Sequence, residues 1–312
     1  MYKIGIDLGG TKVEGVVLDD NNKELYRKRF PNGKEGGYQN VLSVLKTLYT
    51  DLYEFISGAE HTLGLGTPGA MAKESNLLKN SNIECMNGLP FQTDLEKLFN
   101  HKLVIENDAN CFALAEAVIG AGKGKDLVFG VIMGTGCGGG IVYKGEVIRG
   151  LKESAGEWGH STINFDNGPV WRNSPLKGLV EAYISGTGAQ ERYAEEFGGN
   201  LEMQEIISNY RKGEQNAVRA MGKFFEYYGV SISNIIKFMD PDAIVLGGGL
   251  SNVDEIYTEG PQYVEKYCLN QELYTPVLKN EYGDSAGVFG AALVGICLLY
   301  TSDAADDSLR VD

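Results

Sequence analysis

The sequence predicts an α/β protein made of two similar halves that face each other across a cleft. Each half opens with an apolar run that leads into a glycine-rich turn: residues 2–6 precede the turn at residues 7–12, and residues 127–133 precede the turn at residues 134–140. Hairpin-like segments follow both turns. This repeated order, with little sequence repetition, predicts a duplicated fold whose ligands collect at strand ends.

Apolar runs bounded by turn residues predict strands, and apolar residues at helical spacing predict helices. In the first half, strands are expected at residues 2–6, 12–18, 25–30, 63–66 and 103–105, and helices at residues 38–57 and 109–118. In the second half, strands are expected at residues 128–133, 140–143, 146–149 and 243–246, and helices at residues 178–184, 203–212 and 216–238.

The glycine-rich segment at residues 119–125 is the expected hinge between the halves, since no Pro- or Ser-rich linker separates them. We therefore predict a first domain at residues 1–119 and a larger second domain at residues 120–284. Residues 285–296 are expected to form a helix that returns to the first domain.

Composition narrows the classes of partner. The 312 residues are 43% hydrophobic and 22% charged, which is ordinary for a globular protein, and carry a formal net charge of -14. An acidic surface repels nucleic acid and anionic membranes, so neither is expected as a partner. The five cysteines are scattered, no signal peptide opens the chain, and the longest apolar stretch is too short to span a bilayer. These features predict a cytoplasmic protein.

Residues 297–312 resemble the translation of a transposase-type sequencing adapter. A polar natural tail is the alternative, but the match is long and in register. We expect this segment to be non-native and leave it out of the functional interpretation.

The glycine-rich turns are the first candidate site. Glycine lets the backbone approach a phosphate, and successive N–H groups can then bind its oxygens. Tight or bulged hairpins also need glycine, and a strand-to-helix turn would explain the third glycine cluster. The combination of turns favours nucleotide binding, with Asp7 as a carboxylate on the metal side. The expected nucleotide-binding residues are Asp7, Gly9, Gly10, Thr11, Lys12, Gly134, Thr135, Gly136, Gly247, Gly248 and Gly249.

Asp108 is the candidate general base. It lies at a strand end between the two turns in the sequence, where a carboxylate could take the proton of a hydroxyl nucleophile as a phosphoryl group arrives. Asn107 would then bind substrate. The alternative is that Asp108 only caps the helix that follows.

Glu157, His160 and Glu181 are candidate sugar ligands, because carboxylates and imidazole suit paired hydrogen bonds to vicinal hydroxyls. The alternative is surface charge for the two glutamates and a structural role for the histidine.

Several motifs, in order along the chain, resemble the ROK family of sugar kinases. They are Asp7–Lys12, residues 63–69 (LGLGTPG), residues 106–110 (ENDAN), residues 134–140 (GTGCGGG), residues 156–160 (GEWGH), residues 184–188 (ISGTG) and residues 240–249 (DPDAIVLGGG). Within that family, residues 80–82, 86–91 and 283–287 look most like bacterial fructokinases or manno(fructo)kinases.

The resemblance implies an actin/hexokinase-like, ribonuclease H-like pair of domains and transfer of the ATP γ-phosphate to a hexose 6-hydroxyl with Mg²⁺. It implies that Asp108 is the base and that Asp7 stands near the magnesium of MgATP. Fructose is the expected sugar, with N-acetylglucosamine, glucose and mannose as alternatives. Family members are often dimeric, which leaves a homodimer open. The residues implied to line the sugar are Gly69, Asn82, Asn107, Glu157, His160 and Glu181.

The sequence departs from the family at a structural zinc site. Members commonly carry three cysteines between the histidine and the later glutamate, whereas Arg172, Ser174 and Leu179 stand at those places here. None of them supplies a thiolate, so we expect no zinc.

Two other classes of function are disfavoured by the sequence. A sugar-responsive repressor of the same family would carry an N-terminal helix-turn-helix domain, whereas this chain begins at the first phosphate strand. An inactive sugar sensor is disfavoured because Asp108 and both turns are retained.

Overall fold

The computed structural model describes residues 1–164, 166–171 and 176–296 and contains two five-stranded sheets. The first half holds β1 (Tyr2–Leu8), β2 (Lys12–Leu18), β3 (Glu24–Pro31), α1 (Gly37–Phe55), β4 (His61–Thr67), β5 (Ala70–Met71), β6 (Leu78–Lys79), α2 (Phe91–Phe99), β7 (Val104–Asn107) and α3 (Asp108–Val118). The second half holds β8 (Leu127–Met133), β9 (Cys137–Tyr143), β10 (Glu146–Val147), α4 (Glu181–Ile184), α5 (Gly186–Phe197), α6 (Met203–Arg211), α7 (Gln215–Met239), β11 (Ala243–Gly247), α8 (Glu255–Thr258), α9 (Gly260–Tyr267), β12 (Val277–Lys279) and α10 (Ala286–Val294).

The two sheets have the same topology, which confirms the predicted duplication. Their strand orders are β3-β2-β1-β4-β7 and β10-β9-β8-β11-β12. In each, the first strand pairs antiparallel with the next strand and parallel with a later one: β1 with β2 and β4, β8 with β9 and β11. The two glycine-rich turns, β1–β2 and β8–β9, therefore occupy equivalent positions.

Helices α3 and α10 pack against each other between the two sheets. The contact of α10 with β4 and the contact of α10 with α3 both require glycine. A Cβ on Gly64 of β4 would collide with the α10 backbone at Ala291, and one on Gly290 of α10 would collide with the α3 backbone at Cys111. Helix α10 packs against β1 and β4 of the first sheet. The exact domain boundaries at 119/120 and 284/285 stay predictions.

The segments that join the halves meet at one buried carboxylate. Glu116 of α3 is fully buried and accepts hydrogen bonds from the backbone N–H groups of Ala121 (3.0 Å), Glu281 (3.1 Å) and Tyr282 (3.1 Å). Because a buried carboxylate needs partners, these bonds fix the predicted hinge segment beside the returning chain.

The structure differs from the predicted elements in several places. The helix expected at residues 178–184 begins only at Glu181, because Gly178 has a positive φ of 65° and Leu179 forms a bridge with Thr162. The strand expected at residues 146–149 ends at Val147. Seven elements of the described residues were not expected from periodicity: β5, β6, α2, α5, α8, α9 and β12.

Residues 297–312, the expected non-native tail, lie outside the described residues. Among those that are described, no helix is both long and apolar enough to cross a bilayer.

Candidate active site

Asp7 projects from β1 into a space kept open by two glycines. A Cβ on Gly66 would lie 3.3 Å from Asp7 Oδ1, and one on Gly287 would lie 2.9 Å from Oδ2. Oδ1 is buried and has no hydrogen-bond partner among the described residues. Burial, together with the charges of Asp108 and Glu14, raises the pKa of Asp7 to about 7. Such a carboxylate needs a ligand, and a hard divalent cation such as Mg²⁺ suits its oxygens.

The turn that follows Asp7 is held by local hydrogen bonds. The Gly9 N–H donates to the Lys12 carbonyl at 2.9 Å, and the Asn32 side-chain amide donates to the Gly9 carbonyl at 2.8 Å. Thr11 at the tip is exposed. Asn82, an expected sugar ligand, lies beside this turn, since a Cβ on Gly10 would be 3.5 Å from its Oδ1.

Asn107, Asp108 and Gly69 are brought together at the start of α3. The Asn107 side chain caps the helix by accepting from the Ala109 N–H at 2.9 Å, and its Nδ2 donates to the Gly69 carbonyl at 3.1 Å. The cap is therefore Asn107, although Asp108 Oδ1 also accepts from the Ala109 N–H, at 2.9 Å. Burial raises the pKa of Asp108, the Ala109 N–H opposes that rise, and the charge of Glu157 adds to it.

Glu157 and His160 form an exposed pair on the short helical turn after β10. His160 Nδ1 and Glu157 Oε2 are 3.0 Å apart, and both side chains are more than half exposed. The Glu157 charge contributes to the raised pKa of Asp108, so these two carboxylates lie near each other. Both side chains are open to a polar ligand.

Glu181 is used differently from Glu157. Its Oε2 accepts from the Cys137 backbone N–H at 2.7 Å, and its Oε1 accepts from the Trp171 indole N–H. A Cβ on Gly136 would lie 2.5 Å from Oε2. The carboxylate expected to bind sugar therefore supports the backbone of the second turn.

A cavity of about 590 Å³ opens beside this second turn. Gly134, Thr135 and Gly249 line it, together with residues not assigned from the sequence, including Gly186, Thr187 and Gln190. The α5 N-terminus thus faces the cavity, with Ser185 Oγ accepting from the Gly188 N–H at 2.9 Å. A serine cap before glycines is the sequence signal that could have predicted this helix N-terminus.

Gly247 and Gly248 do not line that cavity, and packing accounts for both. A Cβ on Gly247 would lie 2.5 Å from the Phe112 ring. Gly248 has a φ of 78°, and its Cβ would lie 2.5 Å from the Met133 carbonyl oxygen. Of the three glycines expected near the nucleoside, Gly249 alone borders the cavity.

At the place of the family's zinc site, Leu179 is fully buried and shares a hydrophobic cluster with Trp171 and Val180. Arg172 and Ser174 lie outside the described residues. The described residues contain no group of three or more His, Cys, Asp or Glu side chains that could hold a metal. Zinc absence stays a prediction.

The chain is similar to known sugar kinases over nearly its whole length. The ROK family profile matches residues 3–296. An N-acetyl-D-glucosamine kinase of Vibrio atlanticus is 36% identical over 303 residues, covering 94% of this chain and 99% of that protein. One from Yersinia pseudotuberculosis is 35% identical over 298 residues, covering 93% and 97%.

The crystal structure of a ROK hexokinase from Thermus thermophilus superposes with a TM-score of 0.87 at 29% identity, covering 96% of this chain and 100% of that one. This confirms the actin/hexokinase-like fold. The chain belongs to the ROK family, and within it to the carbohydrate kinases.

Proposed function

We propose that the protein transfers the γ-phosphate of ATP to the 6-hydroxyl of N-acetylglucosamine. The observation that carries the proposal is the pair of half-buried carboxylates, Asp7 and Asp108, whose charges interact, together with a cavity at the second glycine-rich turn that is large enough for a nucleoside. Asp7 supports a metal-side role because its Oδ1 is buried without a partner among the described residues. The name shared by the relatives supports the sugar.

Asp108 acts as the general base in this mechanism. Burial raises its pKa, which makes it a better proton acceptor than an ordinary aspartate. Asn107 orients the turn that carries it and holds Gly69 on the sugar side. The Glu157 carboxylate accepts hydrogen bonds from ring hydroxyls, and the His160 imidazole donates to them or accepts from them. Both side chains are exposed and are oriented by their contact with each other.

The second turn binds the triphosphate. Its N–H groups, with those at the α5 N-terminus, favour negative oxygens, and Glu181 keeps the backbone in shape. Mg²⁺, when bound with ATP, neutralises charge on the transferred phosphoryl group. Asp7 is the residue placed to hold it, directly or through water.

The choice of sugar changes one expectation from the sequence. Fructose was the expected substrate, whereas the similar relatives are named for N-acetylglucosamine, which was an alternative. Short motifs near residues 80–91 and 283–287 suggested fructose, but agreement over nearly the whole chain is stronger support. A cytoplasmic location and a homodimer stay predictions.

A coupled ADP-release assay tests the proposal. N-acetylglucosamine, fructose, glucose and mannose are compared at saturating MgATP, with Asp108→Asn as the matched inactive control. We expect the highest kcat/KM for N-acetylglucosamine and a 6-phosphate product by phosphorus NMR. A higher value for fructose would restore the original expectation, and no activity on any hexose would reject the proposal.

A further inference from the structure

We infer that Glu106 is a positioning residue, which sets the Asn107–Asp108 turn relative to the sugar-binding segment of the second half through Arg149. The inference rests on the proposed function, because it assumes that Asp108 takes the proton and Glu157 contacts the sugar.

Glu106 is fixed beneath the candidate base. It immediately precedes Asn107 on β7 and is 5% exposed. Its Oε1 accepts from the Asn107 backbone N–H at 2.9 Å and from Asn110 Nδ2 at 2.9 Å. One carboxylate oxygen therefore holds the strand end and the first turn of α3 together.

The other oxygen reaches across to the second half. Arg149 Nε donates to Glu106 Oε2 at 2.7 Å, and the arginine lies just after β10, on the segment that leads to Glu157. A buried carboxylate that is hydrogen-bonded to a guanidinium is a directional contact, and breaking it leaves an uncompensated charge. The pair thus joins the base-bearing turn to the segment that carries Glu157 and His160.

A second ion pair between the same regions provides a comparison. Lys73 Nζ lies 2.6 Å from Glu153, and the lysine side chain is 59% exposed. Exposed pairs contribute little, because solvent screens them and the side chains lose entropy. If any ion pair between these segments were enough to align them, loss of either pair would have the same effect on turnover. Because Glu106 is buried, we expect loss of its pair with Arg149 to have the larger effect.

Loss of the Glu106–Arg149 contact should act on sugar chemistry more than on nucleotide binding. Both glycine-rich turns are held by other contacts, from Asn32 and from Glu181. A shift of the Glu157 segment by about 1 Å relative to Asp108 can lower turnover by about 10²-fold. The affected step is the one that needs the base and the sugar hydroxyl aligned.

Steady-state kinetics of Glu106→Gln, Arg149→Met, Arg149→Lys and the double variant Glu106→Gln/Arg149→Met test the inference, with Lys73→Met as the matched control. We expect kcat/KM for N-acetylglucosamine to fall by about 10–10²-fold in both single variants, while KM for ATP changes by less than about twofold. The double variant should have a kcat/KM no lower than that of the less active single variant, since each substitution removes the same contact. Arg149→Lys should recover part of the loss, and Lys73→Met should stay within about twofold of the unaltered chain.

Unchanged kcat/KM in Arg149→Met, together with a large loss in Asp108→Asn, would overturn the inference. So would a proportional loss of sugar turnover, ATP affinity and thermal stability, which marks a merely structural contact. Arg149→Met decides the matter if Glu106→Gln does not fold. Failure of the proposed function has a different signature, because the unaltered chain would then phosphorylate no hexose, or another hexose in preference to N-acetylglucosamine.

Discussion

The two glycine-rich turns occupy equivalent positions in the two sheets, yet the carboxylate beside each is used in opposite ways. Asp7, at the first turn, has a buried oxygen without a partner among the described residues, and its pKa is raised to about 7. Glu181, at the second, has both oxygens occupied by the Cys137 N–H and the Trp171 indole. A carboxylate without protein partners is available to a ligand, whereas one with two partners shapes the backbone.

This difference shows how two turns at equivalent positions of a duplicated fold can bind different parts of a metal–triphosphate ligand. The first turn offers negative charge, which suits a metal ion, and the second offers N–H groups, which suit phosphate oxygens. Asp108 stands between them, at the start of a helix that packs on both sheets. The comparison can be tested by altering each part.

Asp108→Asn should have the largest effect, because it removes the proton acceptor that both turns serve. We expect kcat to fall by about 10²–10⁴-fold, with thermal stability and ATP binding retained. Stopped-flow or coupled assays measure kcat, and calorimetry measures ATP binding. Near-normal turnover would reject the assignment.

Asp7→Asn should break the metal side of the comparison and lower kcat by about 10²-fold. It should also stabilise the ligand-free protein at high pH. The pKa of Asp7 is raised from 3.8 to about 7, so between these values the folded state binds more protons than the unfolded state. The free energy of unfolding therefore falls as pH rises through this window, and the asparagine variant escapes that loss.

Urea unfolding of both proteins at about pH 4 and about pH 8 checks the sign, with an expected gain of about 1–3 kcal/mol for the variant at the higher pH and little difference at the lower. A variant that is less stable than the unaltered chain at high pH would contradict the assigned burial of Asp7.

Gly136→Ala should sharpen the comparison at the second turn. Its Cβ would lie 2.5 Å from Glu181 Oε2, so the contact must move and stability should fall by about 1–3 kcal/mol. Gly134→Ala is the matched control, because its Cβ would meet only the Gly249 backbone N, at 3.9 Å, apart from its chain neighbours. That variant should keep its melting temperature yet raise KM for ATP, since the methyl group enters the nucleotide cavity. Equal stability of the two variants would show that Glu181 is not structural.

Chelation should have the smallest effect. Protein purified without added metal should contain no stoichiometric zinc, and EDTA should leave its melting temperature unchanged, because Leu179 packs where a thiolate is expected. Mg²⁺ is restored before activity is assayed. One tightly bound zinc per chain by elemental analysis would contradict this expectation.

Local signals predicted much of the fold. The strands β1 to β3 and the long helices α1 and α7 follow from apolar spacing and turn residues, which act over a few positions. Helix α5 was missed because it opens with Gly186-Thr187-Gly188, a sequence of low helix propensity that the Ser185 cap stabilises. Tertiary packing overrode the local preference there.

The positions of Asn107 and Asp108, at the end of a strand and the start of a helix, could be predicted from the sequence, whereas their roles stay predictions. The role of Glu181 could not be predicted, because its partner Cys137 is 44 residues away and backbone N–H groups leave no trace in sequence. Gly247 and Gly248 show the reverse case, since close packing and ligand approach both require glycine. Sequence alone does not separate these two demands.

The position of α10 has a consequence for the order in which the protein can be completed. The first sheet is made of the earliest residues, yet the glycine face around Gly64 is covered by a helix that ends at Val294. During synthesis, therefore, that face stays uncovered until almost the whole described chain has left the ribosome. The N-terminal half emerges first but is finished last, and its maturation depends on the C-terminal end of the fold.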